Sequence, residues 1–169
     1  MTGRRKDRPG ARDLAAVVRG AAAPFTDLPL TLNLELGDEV IMDPSVATAL
    51  ARAVATVLHN VRVHADAQSV VVHADSVDQE WEVVVRDDGV GFDPELTALG
   101  FGLSEQVRRA MFELGCRVRI ESAVGEGTMV TLGGDVHVSP RSPDLPARPR
   151  EVVPGLRGSD PVGSRRTFG

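Results

Sequence analysis

The order in which strand and helix patterns follow one another constrains the fold of this 169-residue chain more than any other feature. Leucines at every second position from Leu30 to Leu36 predict a half-buried strand, because the side chains of a strand alternate between its two faces. Asp43 and Pro44 form a typical helix start, and the apolar pattern that follows predicts a helix to about His64. The first half of the chain therefore combines a strand with a long helix.

The second half of the chain adds mostly strands. The other predicted elements are a short helix before Pro24, strands Ser69–His73 and Trp81–Arg86 joined by the polar turn Asp75–Glu80, a helix Leu103–Leu114 after the glycine-rich stretch Asp87–Gly102, and a hairpin of Arg117–Glu121 and Thr128–Leu132. The resulting order, β-α-β-β-loop-α-β-β, lacks the regular alternation of a parallel sheet. We therefore predict the α+β class, an α/β sandwich in which helices cover one face of a mixed, mostly antiparallel sheet.

Charge divides the chain into three parts. Residues 1–13 and 139–169 each carry a net charge of +3, and the second segment holds six of the eleven prolines. Both segments lack helical and strand periodicity, so we predict disordered ends around one folded domain, residues 14–138, whose net charge is −11. An acidic body is not typical of a nucleic-acid-binding domain. No apolar run is long enough for a membrane span, and the single cysteine, Cys116, suits a reducing compartment such as the cytoplasm.

Three features inside the predicted domain suit ligand chemistry. Asn60 lies inside a predicted helix, where asparagine is unfavourable, although an interface asparagine that bonds to the sheet or to solvent is the more ordinary explanation of this residue taken alone. Asp87–Phe92, with the sequence DDGVGF, follows a strand; its glycines allow close backbone approach to a ligand, but a plain turn is also compatible with it. Gly100–Leu103, with the sequence GFGL, opens a helix whose unpaired N–H groups suit phosphate, and alone it is a weak signal.

Together and in this order, the three features resemble the ATP-binding domain of the GHKL superfamily, which sensor histidine kinases, gyrase-type ATPases and mismatch-repair ATPases share. Leu58–Ala65 resembles the N box of that family, Asp87–Phe92 matches its first glycine box, D-x-G-x-G, and Gly100–Leu103 resembles its second. Ile120–Thr128 matches its closing pattern, ES-x-x-G-x-G-T. The resemblance covers about residues 28–132, is nearest to bacterial two-component sensor kinases with a short lid, and implies the Bergerat-type ATP-binding fold.

The resemblance implies a role for each matching position. Asp87 would accept a hydrogen bond from the adenine amino group, and Gly89 and Gly91 would shape the adenine pocket. Asn60 would help to hold the Mg²⁺ that bridges the phosphates. The other implied ATP-binding positions are His64 beside the N box, Gly100, Gly102 and Leu103 over the phosphates, and Thr128 near the adenine. ATP and Mg²⁺ are thus the implied cofactors, since a triphosphate needs a cation and oriented amides more than covalent help.

Three positions depart from the family pattern. Thr56 stands four residues before Asn60, where the family usually has a catalytic Glu, so the catalytic residue is unknown. Val63 replaces a frequent basic residue, and the neighbouring Arg62 points about 100° further round the helix. Glu105 stands where glycine is common, and its carboxylate opposes phosphate charge. We expect each change to weaken nucleotide binding or turnover.

Three functional hypotheses remain. The first is an ATP-binding domain of the histidine kinase type that binds Mg-ATP and transfers phosphate to a partner protein in signal transduction, because the residues before Asn60 contain no recognisable phosphoacceptor hairpin. The second is a catalytically degenerate module that senses nucleotide or regulates a partner by binding it. The third is an anti-sigma-factor-like serine kinase, which needs the same catalytic Glu.

Overall fold

The structure, a computed structural model, describes residues 12–34, 36, 39–95 and 105–136. Within these ranges the strands are β1 Arg12–Asp13, β2 Leu30–Leu34, β3 Ile41–Met42, β4 Val70–Val77, β5 Glu80–Asp87, β6 Arg117–Ala123 and β7 Gly127–Asp135. The helices are α1 Leu14–Ala22, α2 Pro44–Asn60 and α3 Glu105–Glu113, and a π-helical turn, Val61–Ala65, continues α2. No helix in these ranges combines the length and the apolar character needed to cross a bilayer.

Five of the strands form one mixed sheet in the order β2-β4-β5-β7-β6. β2 lies parallel to β4, and the other neighbouring pairs of this sheet are antiparallel. β1 and β3 form a separate two-stranded antiparallel ribbon. The predicted class, a mixed and mostly antiparallel sheet combined with helices in an α+β fold, is confirmed.

The core lies between the helices and one face of this sheet. Alternate residues of β4 and β5 are buried there, while most of the residues between them are only half-buried or exposed. The largest fully buried side chains come from both layers and include Leu14, Leu50, Leu58, Trp81, Met111 and Leu132. Because burial of such a side chain contributes about 1.5–3 kcal/mol, this layer of contacts holds α2 firmly against the sheet.

α2 carries a long buried stripe and leads into the site. Its N-terminal cap, Asp43, accepts a hydrogen bond from the Ser45 N–H at 2.8 Å. The apolar stripe expected for this helix is buried throughout: Val46, Leu50, Val54, Val57, Leu58 and Val61. The helical path ends at Ala65, close to the predicted His64, but its last turn is π-helical, and Asp66 follows in the left-handed region with φ of 48°.

The turn between β4 and β5 is shorter than predicted. It consists of Asp78 and Gln79, which have φ of 52° and 70°, instead of the whole segment Asp75–Glu80. Two central residues with positive φ match the twist of the flanking strands, so the ladder continues to the turn. The polar residues Asp75 and Ser76 therefore belong to β4, because the strand extends beyond its apolar part.

The prediction of disorder for residues 1–13 needs correction at its last two residues. Arg12 and Asp13 pair with β3, and Asp13 then caps α1 through its carboxylate. Residues 1–11 and 137–169, which contain the rest of the two predicted disordered ends, lie outside the described residues.

Candidate functional site

A pocket lies between the C-terminal end of α2 and the end of the sheet where β5 and β7 meet the glycine-rich stretch. It holds about 420 Å³ of empty space, counted out to its open mouth. The residues around it are Val57, Asn60, Val61, His64, Ala65, Asp87, Val90, Gly91, Phe92, Thr128 and Val130. Five of the predicted site residues are among them: Asn60, His64, Asp87, Gly91 and Thr128.

Asp87 is the buried acid of this pocket, with 4% of its surface exposed. The antiparallel pairing of β5 with β7 places it directly opposite Thr128. Its Oδ1 accepts a hydrogen bond from the Gly89 N–H at 2.9 Å. Burial raises the pKa of the Asp87 carboxyl, and hydrogen bonds from the backbone N–H groups of Gly89 and Thr128 oppose this by favouring the charged form. The pocket thus presents a strong hydrogen-bond acceptor in apolar surroundings.

The backbone after β5 passes so close to its neighbours that two positions require glycine. A Cβ on Gly89 would lie 2.2 Å from the carbonyl oxygen of Ala65, and one on Gly91 would lie 2.0 Å from that of Ala123. Gly91 also has φ of 58°, in the left-handed region that favours glycine. The Val90 N–H donates to the Ala65 carbonyl at 2.8 Å, which ties this segment to the π-helical turn. Gly91 therefore forms part of the pocket lining, and Gly89 lies directly behind it against Ala65.

Ser122 joins the glycine-rich stretch to the β6–β7 hairpin, although it was not among the predicted site residues. Its hydroxyl accepts a hydrogen bond from the Phe92 N–H at 2.9 Å and donates one to the Gly127 carbonyl at 2.8 Å. Its oxygen also lies 3.0 Å from the hydroxyl oxygen of Thr128. A hairpin serine carries no signal of its own, so only its place in the motif Ile120–Thr128 could have pointed to it.

Asn60 and His64 face the pocket from the helical side, where they line it together with Val57 and Val61. The asparagine amide offers one oxygen acceptor, and a neutral imidazole offers one ring nitrogen. In the described part of the chain, no group of three or more His, Cys, Asp or Glu side chains could hold a metal ion. A divalent cation at this site would therefore need oxygen ligands from a bound molecule or from water in addition to Asn60.

Thr56 lies one helical turn before Asn60 and is bonded to its own helix. Its hydroxyl donates a hydrogen bond to the Arg52 carbonyl at 2.8 Å. A hydroxyl held in this way is neither basic at neutral pH nor directed at the pocket, whose lining residues do not include it. The geometry agrees with the expectation that Thr56 does not replace a catalytic carboxylate.

Arg62 is engaged away from the pocket. Its guanidinium donates to the Pro24 carbonyl at 2.9 Å, forms an ion pair with Asp27, and lies 4.4 Å from the ring centroid of Phe25. These contacts fasten the π-helical turn to the segment after α1. Val63 is 55% exposed and lies outside the lining of the pocket. The expectation that Arg62 is a poor substitute for a basic residue at position 63 agrees with this geometry.

Asp88 has a structural contact that the sequence did not predict. Its Oδ1 accepts hydrogen bonds from the N–H groups of Gln68 and Ser69, at 2.8 and 2.9 Å. A carboxylate oxygen has the acceptor capacity for two such hydrogen bonds. Asp88 therefore holds the start of β4 against the glycine-rich stretch.

Part of the predicted site is not described. Gly100, Gly102 and Leu103 lie outside the described residues, as does the predicted beginning of the second long helix. That helix is described as α3, Glu105–Glu113, and its buried residues are Val107 and Met111.

The described pocket suits a flat, mostly apolar ring that carries an amino group. Valine side chains supply the apolar walls, and the Asp87 carboxylate supplies an acceptor for the amine. The described lining contains neither lysine nor arginine. Phosphate groups attached to such a ring would therefore depend on a cation and on backbone N–H groups for compensation of their charge.

Comparisons with known proteins point in the same direction. The family model described as "Histidine kinase-, DNA gyrase B-, and HSP90-like ATPase" matches residues 45–137, which is more than half of the chain. A search of curated proteins found no match.

Solved structures of histidine kinases share the fold. The histidine kinase domain of the blue-light activated histidine kinase of Erythrobacter litoralis EL346 is 25% identical with a TM-score of 0.55; the match covers 73% of this chain and 59% of that one. A second chain of that kinase gives the same identity and TM-score, with 40% of its length covered. The histidine kinase domain of the E. coli osmosensor EnvZ, at 22% identity and a TM-score of 0.59, matches over 82% of this chain and 94% of that one.

Proposed function

The chain belongs to the histidine kinase-, DNA gyrase B- and HSP90-like ATPase family, and we propose that its pocket binds ATP together with Mg²⁺. The observation that carries the proposal is Asp87, an acid with only 4% of its surface exposed, placed in a pocket with apolar walls. Its carboxylate accepts hydrogen bonds from backbone N–H groups of the protein, and a carboxylate has lone pairs left for a further donor. The adenine amino group is a donor of the required type.

The glycines support the adenine end of the proposed site. Gly91 lines the pocket with bare backbone, because any side chain there would meet the Ala123 carbonyl. Thr128 stands opposite Asp87 and places a second polar side chain beside the same acceptor. These residues would hold the base and exclude water from its amino group. Gly100, Gly102 and Leu103 are proposed to cover the phosphates.

Asn60 is the residue proposed to contact the cation. Amide oxygens are suitable Mg²⁺ ligands, and Mg²⁺ usually keeps several waters and binds through substrate phosphates, so one protein ligand is compatible with its chemistry. When bound, the cation would neutralise phosphate charge that the described lining residues do not compensate. His64 would lie on the same side of the pocket.

We propose further that the bound nucleotide serves phosphotransfer to a partner protein in signal transduction. The likeness to histidine kinase domains supports this, since those structures are named as histidine kinases. The chain spans 59% and 40% of the two blue-light kinase chains, so the acceptor side chain, the partner and the signal are parts of the proposal. We propose that the chain acts in the cytoplasm, because ATP is available there and because a chain with a single cysteine suits a reducing compartment.

Calorimetric titration with Mg-ATP tests the binding proposal. The full chain is compared with Asp87→Asn, which keeps the shape but removes the anionic acceptor, and with Asp135→Asn, the same change at the opposite, exposed end of the β5–β7 pair. We expect wild-type and Asp135→Asn proteins to bind alike and Asp87→Asn to bind about 10- to 100-fold more weakly, since a hydrogen bond to a charged group is lost. Absence of heat at two temperatures, or equal affinity of all three proteins, would refute the proposal.

The contact of Thr56 favours a second candidate function, a module that binds nucleotide without turning it over. The hydroxyl that occupies the usual position of the catalytic Glu is bonded to the Arg52 carbonyl. ATP hydrolysis and phosphotransfer are measured for the wild type, Thr56→Glu and Thr56→Gln; the glutamine matches glutamate in size but cannot act as a base. A binding module predicts turnover only in Thr56→Glu. Turnover by the wild type would reject this candidate in favour of the kinase.

A further inference from the structure

The two edges of the five-stranded sheet differ in how they are protected. β6, at one edge, carries charged side chains at alternate positions, Arg117, Arg119 and Glu121. β2, at the other edge, has the sequence LTLNL and contains no charge and no proline. Proteins usually protect an edge strand with charges, proline or bulges, because unpaired N–H and C=O groups otherwise pair with another strand. Within the described part of the chain, β2 is thus an unprotected edge.

The register of β2 shows which backbone groups point away from the sheet. Leu30 lies beside Val70 in the parallel pair, and the Val70 N–H donates to the Pro29 carbonyl at 3.0 Å. In a parallel ladder, alternate residues of a strand direct both their N–H and C=O groups at the neighbour. Thr31 and Asn33 therefore pair with β4. The intervening Leu30, Leu32 and Leu34 direct their carbonyls outward, and Leu32 and Leu34 their N–H groups as well.

The side chains of β2 repeat symmetrically about Leu32. Leu30 and Leu34 flank it on the helix-covered face, and Thr31 and Asn33 flank it on the open face. If a second copy of this strand is placed antiparallel to the first, with Leu32 opposite Leu32, each leucine lies beside a leucine and each polar residue lies beside a polar residue. A pattern of this kind is self-complementary, as a two-fold interface requires.

We propose that β2 is a dimerisation edge that pairs antiparallel with β2 of a second copy of this chain, about a two-fold axis through Leu32. The Leu32 N–H of each copy then donates to the Leu32 carbonyl of the other, and each Leu34 N–H donates to a Leu30 carbonyl. This adds four backbone hydrogen bonds in one antiparallel ladder. It places the two five-stranded sheets in one ten-stranded sheet, which is within the usual limit for open sheets.

The exposure of Leu32 agrees with this pairing. Its surface is 37% exposed, whereas its neighbour on β4, Val72, is fully buried. Residues that face each other in an antiparallel pair lie on the same face of the sheet, so Leu32 would lie beside its counterpart between the two helical layers. The dimer would therefore cover an apolar side chain that the helices of one copy leave open. This inference does not depend on nucleotide binding.

The mass of the full chain in solution tests the dimer, measured by sedimentation from micromolar to near-millimolar concentration. Leu32→Pro removes the outward N–H of Leu32 without removing a hydrogen bond to β4, since that N–H does not face β4. Leu32→Val keeps the N–H and an apolar side chain and is the matched control. Leu32→Lys is a second disrupting variant that places two like charges beside the axis.

We expect a concentration-dependent dimer for the wild type and Leu32→Val, and self-association at least about tenfold weaker for Leu32→Pro, because two hydrogen bonds are lost per dimer. Leu32→Lys should be weakened similarly, and its dimer should recover partly as salt screens the added charges. Circular dichroism shows which variants fold; if Leu32→Pro does not, Leu32→Lys decides. A wild type that stays monomeric over the whole range, or folded disrupting variants that dimerise like the wild type, would overturn the proposal.

Discussion

Replacement of Gly91 by alanine should destabilise the protein more than two matched glycine replacements and should impair the pocket. The three glycines separate two physical causes. Gly125 has φ of 83° and nothing within 4 Å of an added Cβ, so alanine there tests the backbone conformation alone. Gly89 has no positive φ, but its added Cβ would lie 2.2 Å from the Ala65 carbonyl oxygen, so alanine there tests the close contact alone. Gly91 combines both.

The magnitudes follow from these geometries. A left-handed backbone costs an alanine about 1–2 kcal/mol, and the reduced entropy of the unfolded chain offsets about 0.4–1 kcal/mol, which leaves roughly 1 kcal/mol for Gly125→Ala. The contact at Gly89 is more than 1 Å shorter than the 3.4 Å at which ordinary contact begins, and it is made by backbone, which moves reluctantly. Overpacking of this kind costs about 1–3 kcal/mol. The combined effect at Gly91 is therefore about 2–4 kcal/mol.

Urea denaturation of the three variants measures these free energies, with the slope of the unfolding transition as the check that each variant remains two-state. Titration with Mg-ATP is done in parallel. Gly125→Ala should bind like the wild type, because Gly125 is not among the residues that line the pocket. Gly91→Ala should lose affinity beyond its loss of stability. If Gly91→Ala were no less stable than Gly125→Ala, the inferred close packing of Gly91 against Ala123 would be wrong.

Two further outcomes concern Asp87 and Ser122. Nucleotide affinity should fall with decreasing pH as Asp87 is protonated, and at a higher pH than for an ordinary aspartate, because burial raises the pKa of this carboxyl. The folded chain holds that proton more tightly than the unfolded chain does. The contribution of Asp87 to the free energy of unfolding is therefore present below its ordinary pKa of 3.8 and is lost as pH rises through the raised pKa. Neither the affinity nor the stability of Asp87→Asn should show this pH dependence. Ser122→Ala should cost about 1–3 kcal/mol in urea denaturation, because the hydrogen bonds of the Ser122 hydroxyl with the Phe92 N–H and the Gly127 carbonyl are lost. The exposed Ser45→Ala should cost less than about 0.5 kcal/mol, and equal stability of the two serine variants would contradict a linking role for Ser122.

The sequence predicted those helices and strands whose formation depends on a pattern within the element itself. The period of the leucines predicted β2, and the Asp43 cap with its buried stripe predicted α2, because each depends on a repeating pattern along one element. The extent of β4 was underestimated because Asp75 and Ser76 are polar, and their pairing with β5 depends on the two-residue turn rather than on their own propensity. The C-terminal end of β4 is therefore set by its pairing with β5 and not by the residues of β4 alone.

The residues of the pocket likewise include some that the sequence predicted and some that it did not. Asp87 and Gly91 were recognisable from the order of motifs, since an acid followed by glycines after a strand lies here between an asparagine-bearing helix and a second Gly-x-Gly. Ser122 was not, because its three polar neighbours come from segments that are distant in sequence or lie across a hairpin. The π-helical form of the turn Val61–Ala65 also left no periodic signal, since it is a single turn whose hydrogen bonds shift by one residue.

On the proposed function, binding and turnover depend on different sides of the pocket. The acceptor, the close-packed glycine and the polar pair of Ser122 and Thr128 all lie at the end where β5 and β7 meet, which would hold the base. Two of the three departures from the family pattern, Thr56 and Val63, lie on the helical side, where neither lines the pocket. On this proposal, an acidic domain with no lysine or arginine among the described lining residues would gain most of its nucleotide affinity from burial of the base and from one charged hydrogen bond. A chain of this kind can therefore retain nucleotide binding after the chemistry at the phosphates has weakened, because the residues that hold the base do not depend on those that would activate a nucleophile.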